Sequence, residues 1–168
     1  MIELMVAIAI LAILAGLAAP SFTESIRKAR VNGVRDNITG FIPLGRIEAT
    51  RRRINVVMRR VEGCGVTLTD DNDWSCGWQG FVDTNGNTAL DAGEPALQTF
   101  TVPTGLILQH AAATPSTSMT INRWGQPGTA FERFFVIPPE GITGASTTTV
   151  CFFPGGRVRV LAGAVTCT

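Results

Sequence analysis

The first nineteen residues form an apolar run that constrains the fold more than any other feature of the chain. The segment MIELMVAIAILAILAGLAA contains one charged side chain, Glu3, and is followed by Pro20. At 1.5 Å rise per residue, a helix of this length spans roughly 30 Å, the thickness of a bilayer's hydrocarbon core. The sequence therefore predicts a membrane-crossing helix at this end of the chain.

A cleaved signal peptide is the main alternative for such a run. Signal peptides carry basic residues before the apolar stretch and a small-x-small cleavage site after it. No Lys or Arg precedes Arg27, and the residues after Ala19 continue a helical pattern. We therefore expect the run to be retained as an anchor. A carboxylate at membrane depth costs about 2.5–3.5 kcal/mol on insertion scales, so Glu3 is expected to have a functional partner.

Residues 21–53 carry the pattern of an amphipathic helix that continues the apolar run. Apolar residues follow three- and four-residue steps from Ile26 to Ile42, which predicts one face packed on a sheet. We expect Pro20 to kink this helix rather than end it. Glycine and proline between residues 40 and 45 predict a break there, followed by a further helical stretch.

From residue 54 onward, short apolar segments alternate with turn-forming residues. This spacing predicts eight strands, over 54–61, 78–83, 97–102, 105–110, 118–122, 133–137, 149–153 and 157–161. The predicted fold class is α+β, with a long N-terminal helix packed on an antiparallel β domain. Its three expected parts are a transmembrane half-helix over 1–20, an amphipathic half-helix over 21–53 and a disulfide-containing β domain over 54–168.

The four cysteines fall as two local pairs, Cys64 with Cys76 and Cys151 with Cys167. Four cysteines allow three connectivities, and the short loops favour these two local bridges. A zinc site is the alternative, but the sequence has no C-x-x-C spacing and His110 is its only histidine. We therefore expect two disulfides.

Two features give opposite indications of the compartment. Arg27, Lys28 and Arg30 follow the apolar run, and the positive-inside rule alone would place them in the cytoplasm. Disulfides form and persist in oxidising compartments. We give the cysteines more weight and expect the β domain to lie in the periplasm or outside the cell.

The N-terminal residues Ile2-Glu-Leu-Met5, the apolar helix and the closing Pro20 resemble the start of a mature type IV pilin or type II secretion pseudopilin. In that superfamily a leader ending in Gly precedes the first mature residues, and Met1 stands where the third mature residue usually is. We therefore expect the natural chain to begin upstream of Met1. The resemblance implies that the helix is held in the bacterial inner membrane and then enters a filament among the helices of other pilin subunits. Glu3 would there meet a neighbouring subunit's N-terminal amine.

Three later stretches resemble the FimT/GspH group of minor pilins and pseudopilins. They are the helix end at 46–52, the W-x-x-G-W…F-x-D…D-x-G-E pattern over 74–94, and the G-R-x-R element at 156–159. The resemblance implies a pilin-like fold and a structural subunit with a periplasmic domain. It leaves open whether the machine is a type IV pilus or a type II secretion system.

Gly156, Arg157 and Arg159 form a candidate DNA contact. On a strand, residues i and i+2 share a face, so both guanidinium groups would project side by side. Planar Arg groups suit bidentate phosphate contact, although an ordinary solvated strand is the alternative. In FimT-like minor pilins of naturally competent bacteria, the corresponding element contacts DNA during uptake. The resemblance therefore implies double-stranded DNA as a partner in this second interpretation.

A candidate calcium loop covers residues 83–94. Oxygen-bearing side chains fall at positions 1, 3, 5, 9 and 12 of a twelve-residue loop: Asp83, Asn85, Asn87, Asp91 and Glu94. Position 6, normally Gly, is Thr88, and the flanking segments do not read as helices. The alternative is a surface turn in which Asn and Asp side chains bond their own backbone, and in that interpretation the chain needs no cofactor.

No residue pattern indicates an enzyme. The sequence lacks a suggestive Ser/His/Asp grouping and a phosphate-cradling glycine loop. His110 is expected to be a half-buried or surface residue of a strand rather than a catalyst. A stacking platform is one interpretation of the three tryptophans, Trp74, Trp78 and Trp124. We expect instead that they pack within the small β domain.

Overall fold

A computed structural model describes residues 2–112, 115–128 and 132–167; at Ala12 and over 14–21 it describes the backbone alone. The described chain begins with one helix, α1 (Ile2–Arg52). The strands are β1 (Asn55–Arg60), β2 (Trp78–Asp83), β3 (Ala96–Phe100), β4 (Ile107–His110), β5 (Ser118–Ile121), β6 (Glu132–Ile137), β7 (Thr148–Phe152) and β8 (Val158–Ala162). Every predicted strand is present, with its ends within about two residues, the usual uncertainty of strand boundaries. The predicted α+β class is confirmed.

The strands form two antiparallel sheets of four. The first has the order β3-β2-β1-β5, and the second has the order β4-β6-β7-β8. The register pairs Val57 with Phe81 in the first sheet and Val150 with Val160 in the second. Helix α1 packs against strands of both sheets. The core therefore lies between the second half of α1 and the two sheets.

The predicted break near residues 40–45 is wrong, because α1 continues without interruption to Arg52. Ile38, Phe41 and Ile42 are fully buried on the face that meets the sheets. Burial of such side chains contributes about 1.5–3 kcal/mol each, which outweighs the roughly 3 kcal/mol cost of an interior proline. Gly45 also belongs to this packing, because a Cβ there would lie 2.5 Å from Cδ1 of Ile121.

Both predicted disulfides are confirmed. Cys64 bonds Cys76 with a Cα–Cα distance of 5.6 Å, and Cys151 bonds Cys167 at 5.7 Å. The bridges close loops with sequence separations of 12 and 16 residues. Loops of this size correspond to about 3 kcal/mol each in the chain-entropy description. The second bridge attaches the end of the described chain to β7.

The predicted transmembrane half over 1–20 remains a prediction. Met1 and the side chains at residue 12 and over 14–20 lie outside the described set, and Pro20 is among them. In the part of the chain whose side chains are described, no helix combines the length and apolarity needed to cross a bilayer. The backbone of α1 nevertheless continues through residue 20, which agrees with a proline that does not end the helix.

Candidate functional site

The hairpin between β7 and β8 presents the three candidate DNA-contact residues together. Its turn closes where the Phe153 N–H donates to the Arg157 carbonyl at 3.0 Å and the Gly156 N–H donates to the Phe153 carbonyl at 2.7 Å. Arg157 and Arg159 are exposed, while Val158 between them packs against the core. The expected placement of both arginines on the outer side of the hairpin is therefore observed.

Arg46 adds a third guanidinium group beside this hairpin. Its Nη1 donates to the Gly156 carbonyl at 3.2 Å, and a Cβ at position 156 would collide with the guanidinium. Gly156 also has φ +80°, a left-handed conformation that favours glycine. The Arg157 guanidinium lies 4.7 Å from the Phe153 ring centroid. No local pattern reveals the Arg46 contact, since 110 positions separate the two residues.

The arginine run at the end of α1 is partly neutralised. Glu48 accepts hydrogen bonds from Arg51 Nη2 at 2.8 Å and from Arg52 Nε at 2.6 Å. These hydrogen bonds hold the pKa of the Glu48 carboxyl below its usual range. Arg53 follows with φ 59°, the left-handed conformation common just after a helix end.

Trp124 does not pack as expected, whereas Trp74 and Trp78 are fully buried and match the prediction. Trp124 is 67% exposed, because it lies in the turn that follows β5. The Oδ1 atom of Asn122 holds that turn by accepting hydrogen bonds from the Trp124 and Gln126 N–H groups, each at 3.0 Å. The Arg123 guanidinium lies 4.5 Å from the indole centroid.

Trp124 lines two surface cavities. A cavity of about 330 Å³ is formed with residues of α1, including Arg46, Ile47 and Thr50. A second cavity, of about 560 Å³, includes Arg53 and Arg123. The indole therefore stands among arginines contributed by the end of α1 and by its own turn.

The polar side chains of the candidate calcium loop form hydrogen bonds with other atoms of the same loop. Asp83, 3% exposed, accepts hydrogen bonds from the Gly86 N–H at 2.7 Å and from the Thr88 N–H at 3.1 Å. Thr88 has φ 60°, the left-handed conformation that calcium loops give to a glycine at this position. The side-chain amides of Asn85 and Asn87 both donate to Asp91 Oδ2 at 2.7 Å.

These contacts occupy the loop's carboxylates. Hydrogen bonds from Asn85 and Asn87 lower the pKa of Asp91. Backbone N–H groups of Asp91 and Thr84 likewise lower the pKa of Glu94. Within the described ranges, no three His, Cys, Asp or Glu side chains are arranged to hold a metal ion. These hydrogen bonds are those of a self-bonded turn, and the calcium interpretation stays a prediction.

His110 is fully buried, so its predicted half-buried or surface position is wrong. Its Nε2 lies 2.5 Å from Glu132 Oε2, and its Nδ1 lies 3.2 Å from the Ser116 carbonyl. The imidazole stacks on Phe134 with centroids 4.5 Å apart. Glu132 supplies the polar partner that lets this histidine occupy the interior. Both ring nitrogens of His110 therefore have polar partners inside the β domain.

Glu3 lies in the first turn of α1, where the helix dipole favours a carboxylate. None of the ion pairs among the described residues includes it. Its neighbours on the helix are exposed apolar side chains, from Ile2 at 80% to Val6 at 53%. The partner predicted for Glu3 on another subunit stays a prediction.

Comparison with solved structures places the fold among minor pilins and pseudopilins. The type IV minor pilin FimU of Pseudomonas aeruginosa (strain PAO1) matches in two crystal forms. The P65 form has a TM-score of 0.56 and 15% identity, covering 77% of this chain and 91% of that chain. The P21 form has a TM-score of 0.56 and 13% identity, covering 82% and 90%. The minor pseudopilin EpsH from the Type 2 Secretion System of Vibrio cholerae has a TM-score of 0.50 and 15% identity, covering 76% and 92%.

Comparison at the level of sequence identifies the family. No curated protein matches the chain. The model of the family described as "Type II transport protein GspH" matches residues 35–141, well over half of the chain. The matched region takes in the last third of α1 and strands β1 to β6, and the fold agrees with it. The chain belongs to the GspH family.

Proposed function

We propose that this chain is a minor pilin or pseudopilin, a structural subunit of a type IV pilus or of a type II secretion pseudopilus. The observation that carries the proposal is the first part of α1. Between residues 2 and 13, its large apolar side chains are 53% to 80% exposed. Such a surface requires a membrane or neighbouring helices to cover it. In the second half of the same helix, one face is covered by the protein's own sheets.

Glu3 gives this proposal a specific contact. In the membrane or in a filament core, the apolar residues around it would remove its carboxylate from water. A buried charge persists only beside a partner charge, and a neighbouring subunit's N-terminal amine would supply one. The inner membrane and other pilin subunits are therefore the proposed partners, with the β domain in the periplasm.

The test is a Glu3→Gln variant expressed in the native bacterium. We expect it to remain in the membrane fraction but to be missing from sheared filaments, because the uncharged amide cannot form the ion pair. Glu24→Gln is the matched control, since Glu24 is an exposed residue of the same helix that pairs with Lys28 at 2.7 Å. Equal incorporation of Glu3→Gln and the unmodified chain would contradict the proposed contact.

Deletion of the gene distinguishes the two machines. Loss of surface pili with normal protein secretion would assign the subunit to a type IV pilus. Loss of secreted proteins from the medium with normal pili would assign it to a type II secretion system. FimU is named as a type IV minor pilin and EpsH as a minor pseudopilin of a Type 2 Secretion System, so the two similar structures do not favour one machine over the other.

DNA binding is a second candidate function, favoured by the surface around the β7–β8 hairpin. Arg46 lies against this hairpin, and Arg157 and Arg159 are exposed on it. Among the described residues, neither Arg46 nor Arg157 pairs with a carboxylate. Guanidinium groups in such a position are suited to the phosphates of double-stranded DNA.

This surface predicts weak, sequence-independent and salt-sensitive binding. Each phosphate neutralised on duplex DNA contributes about −0.9 to the slope of log affinity against log salt. Three guanidinium groups would therefore give a slope of roughly −2 to −3. The acidic balance of the sequence after residue 54, with nine acidic and six basic side chains, limits the affinity further.

The experiment titrates duplex DNA with the full chain in non-ionic detergent micelles, following fluorescence anisotropy at several salt concentrations. An Arg157→Ala/Arg159→Ala variant is expected to lose the salt-dependent binding. A Lys28→Ala/Arg30→Ala variant is the matched control, because it removes the same charge from a part of α1 that lies well before Arg46 in the sequence. Equal binding by all three proteins would remove the hairpin from the proposal.

A further inference from the structure

We propose that Trp124 stacks on an unpaired nucleobase, so that the arginine surface beside it binds single-stranded DNA in preference to duplex. This inference rests on the DNA-binding candidate function. It extends that function from the β7–β8 hairpin to the turn after β5, and it specifies the form of DNA.

The turn that carries the exposed indole is held by hydrogen bonds of its backbone. Asn122 closes the turn from both sides: its backbone N–H donates to the Gln126 carbonyl at 2.9 Å, and its carbonyl accepts from the Gly125 N–H at 2.7 Å. The Asn122 side chain adds the two contacts to the Trp124 and Gln126 N–H groups. The Arg123 N–H donates to Asn55 Oδ1 at 3.2 Å, which ties the turn to the start of β1. The backbone that presents the ring therefore loses little conformational freedom when a ligand stacks on the indole.

The charges around the ring favour a polyanion. Arg123 lies over the indole, Arg46 lines the smaller cavity, and Arg53 lines the larger one. The larger cavity also includes Asp83, whose buried carboxylate accepts hydrogen bonds from N–H groups of its own loop. In the described part of the chain, these three arginines form no ion pair. An aromatic ring flanked by cations is the arrangement with which proteins hold a base and its adjacent phosphates.

Arg46 joins this turn to the β7–β8 hairpin. It lines the cavity beside Trp124 and also donates to the Gly156 carbonyl. The two candidate contacts therefore belong to one continuous surface. A single strand with one base on Trp124 would place its following phosphates near Arg46 and then near Arg157.

The indole selects for unpaired bases because the faces of paired bases are already covered by their neighbours in the duplex. A flexible single strand can turn one base out onto the ring without first breaking a base pair. Base–aromatic stacking in single-strand binding proteins corresponds to about 5- to 150-fold in affinity per ring. On an exposed site we expect a loss near the lower end, about 10-fold, when the ring is removed.

The experiment compares a thymidine oligonucleotide of about 15 nucleotides with a duplex of the same length, a size near that of one single-strand binding site. The full chain is used in non-ionic detergent micelles. Trp124→Ala should weaken binding of the oligonucleotide about 10-fold and leave duplex binding within about twofold. Trp124→Phe keeps an aromatic face and should retain most of the affinity.

Tryptophan fluorescence gives a second readout. Trp74 and Trp78 are fully buried, so quenching by the oligonucleotide reports on Trp124. Quenching in the unmodified chain that is missing in Trp124→Ala would support stacking.

Each remaining outcome contradicts a defined part of the proposal. Unchanged oligonucleotide affinity in Trp124→Ala, with duplex binding that still depends on Arg157 and Arg159, overturns the stacking role and leaves DNA binding by the hairpin. If neither DNA form binds, the stacking role and DNA binding by the hairpin are both overturned. If Trp124→Ala keeps its oligonucleotide affinity but is lost from filaments, the indole is a contact to another subunit and the stacking role is overturned.

Discussion

Arg46 on α1 and Gly156 in the β7–β8 turn are joined by a hydrogen bond of 3.2 Å, from a guanidinium nitrogen to a carbonyl oxygen. This contact fastens the hairpin to the end of the helix. It also places a cation next to Arg157 that does not belong to the hairpin's own sequence. The geometry of the candidate DNA surface therefore depends on a glycine.

Gly156→Ala is expected to destabilise the β domain by about 1 kcal/mol, because an alanine at φ +80° is strained. The added Cβ would also displace the Arg46 guanidinium. The measurement is urea unfolding followed by circular dichroism, together with duplex affinity. Gly155→Ala is the control, since a Cβ there meets no atom within 4 Å and the φ value is not left-handed. Equal stabilities of the two variants would contradict the strain assigned to position 156.

Glu132→Gln is expected to lower the free energy of unfolding by about 1–3 kcal/mol. The substitution weakens the 2.5 Å contact to His110, whose side chain is fully buried and cannot turn to water instead. Guanidinium chloride unfolding at neutral pH measures the loss. In Glu62→Gln, an exposed ion pair to Arg60 is removed instead, and the expected loss is below about 1 kcal/mol. A loss no greater than in this control would show that the buried pair contributes little.

Asp73 is expected to make stability depend on pH in the acid range. Burial raises the pKa of its carboxyl, but hydrogen bonds from Ser75 and Thr69 outweigh burial and hold the pKa below its usual range. The unfolded chain therefore takes up this proton at a higher pH than the folded protein does. The stability from this group is present above the unfolded value of about 3.9 and is lost as pH falls through the lower folded value.

The corresponding measurement is the stability difference between the unmodified chain and Asp73→Asn across the acid range. The difference should be full near neutral pH and should shrink below about pH 4. Asp71→Asn serves as the control, because that side chain is 62% exposed. A difference that stays constant down to pH 2 would mean that the Asp73 hydrogen bonds do not depend on its charge.

Pro43→Ala is expected to stabilise the protein. The proline lies in the interior of α1 with its side chain exposed, so the ring removes a helix hydrogen bond without filling the core. Alanine restores the N–H donor and should add about 1–3 kcal/mol. Thermal unfolding of the full chain in detergent checks the gain. A lower midpoint would indicate that Pro43 supports the cavity it forms with Trp124.

Local patterns were sufficient for the strands and the disulfides. Alternating apolar residues and turn clusters are properties of neighbouring positions, and the bridge pairing followed from short loops. The helix break was predicted from the same kind of local rule and failed. Phe41 and Ile42 bury their side chains against sheets made by residues much later in the chain. The residues next to Pro43 in the sequence do not indicate these contacts.

Only part of the candidate site could be predicted, because local patterns do not reveal contacts between distant parts of the chain. The exposed pair Arg157 and Arg159 followed from strand alternation. The contribution of Arg46 did not, because it depends on a contact across 110 positions. Trp124 was expected in the core since large aromatic side chains are usually buried, and only the Asn122 turn explains its exposure. Burial of His110 likewise depends on Glu132, 22 positions away on another strand.

The unbroken course of α1 also determines how the protein would bear mechanical load. A helix of 51 residues is about 76 Å long, and its second half lies along both sheets. A pull on its apolar end would act along the helix axis, so the contacts from Val31 to Ala49 would resist together in shear. They would not peel apart one after another, as they would if the chain turned at residues 40–45. The same rod would carry an axial displacement at Ile2 through to Arg46, and thus to the hairpin fastened beside it.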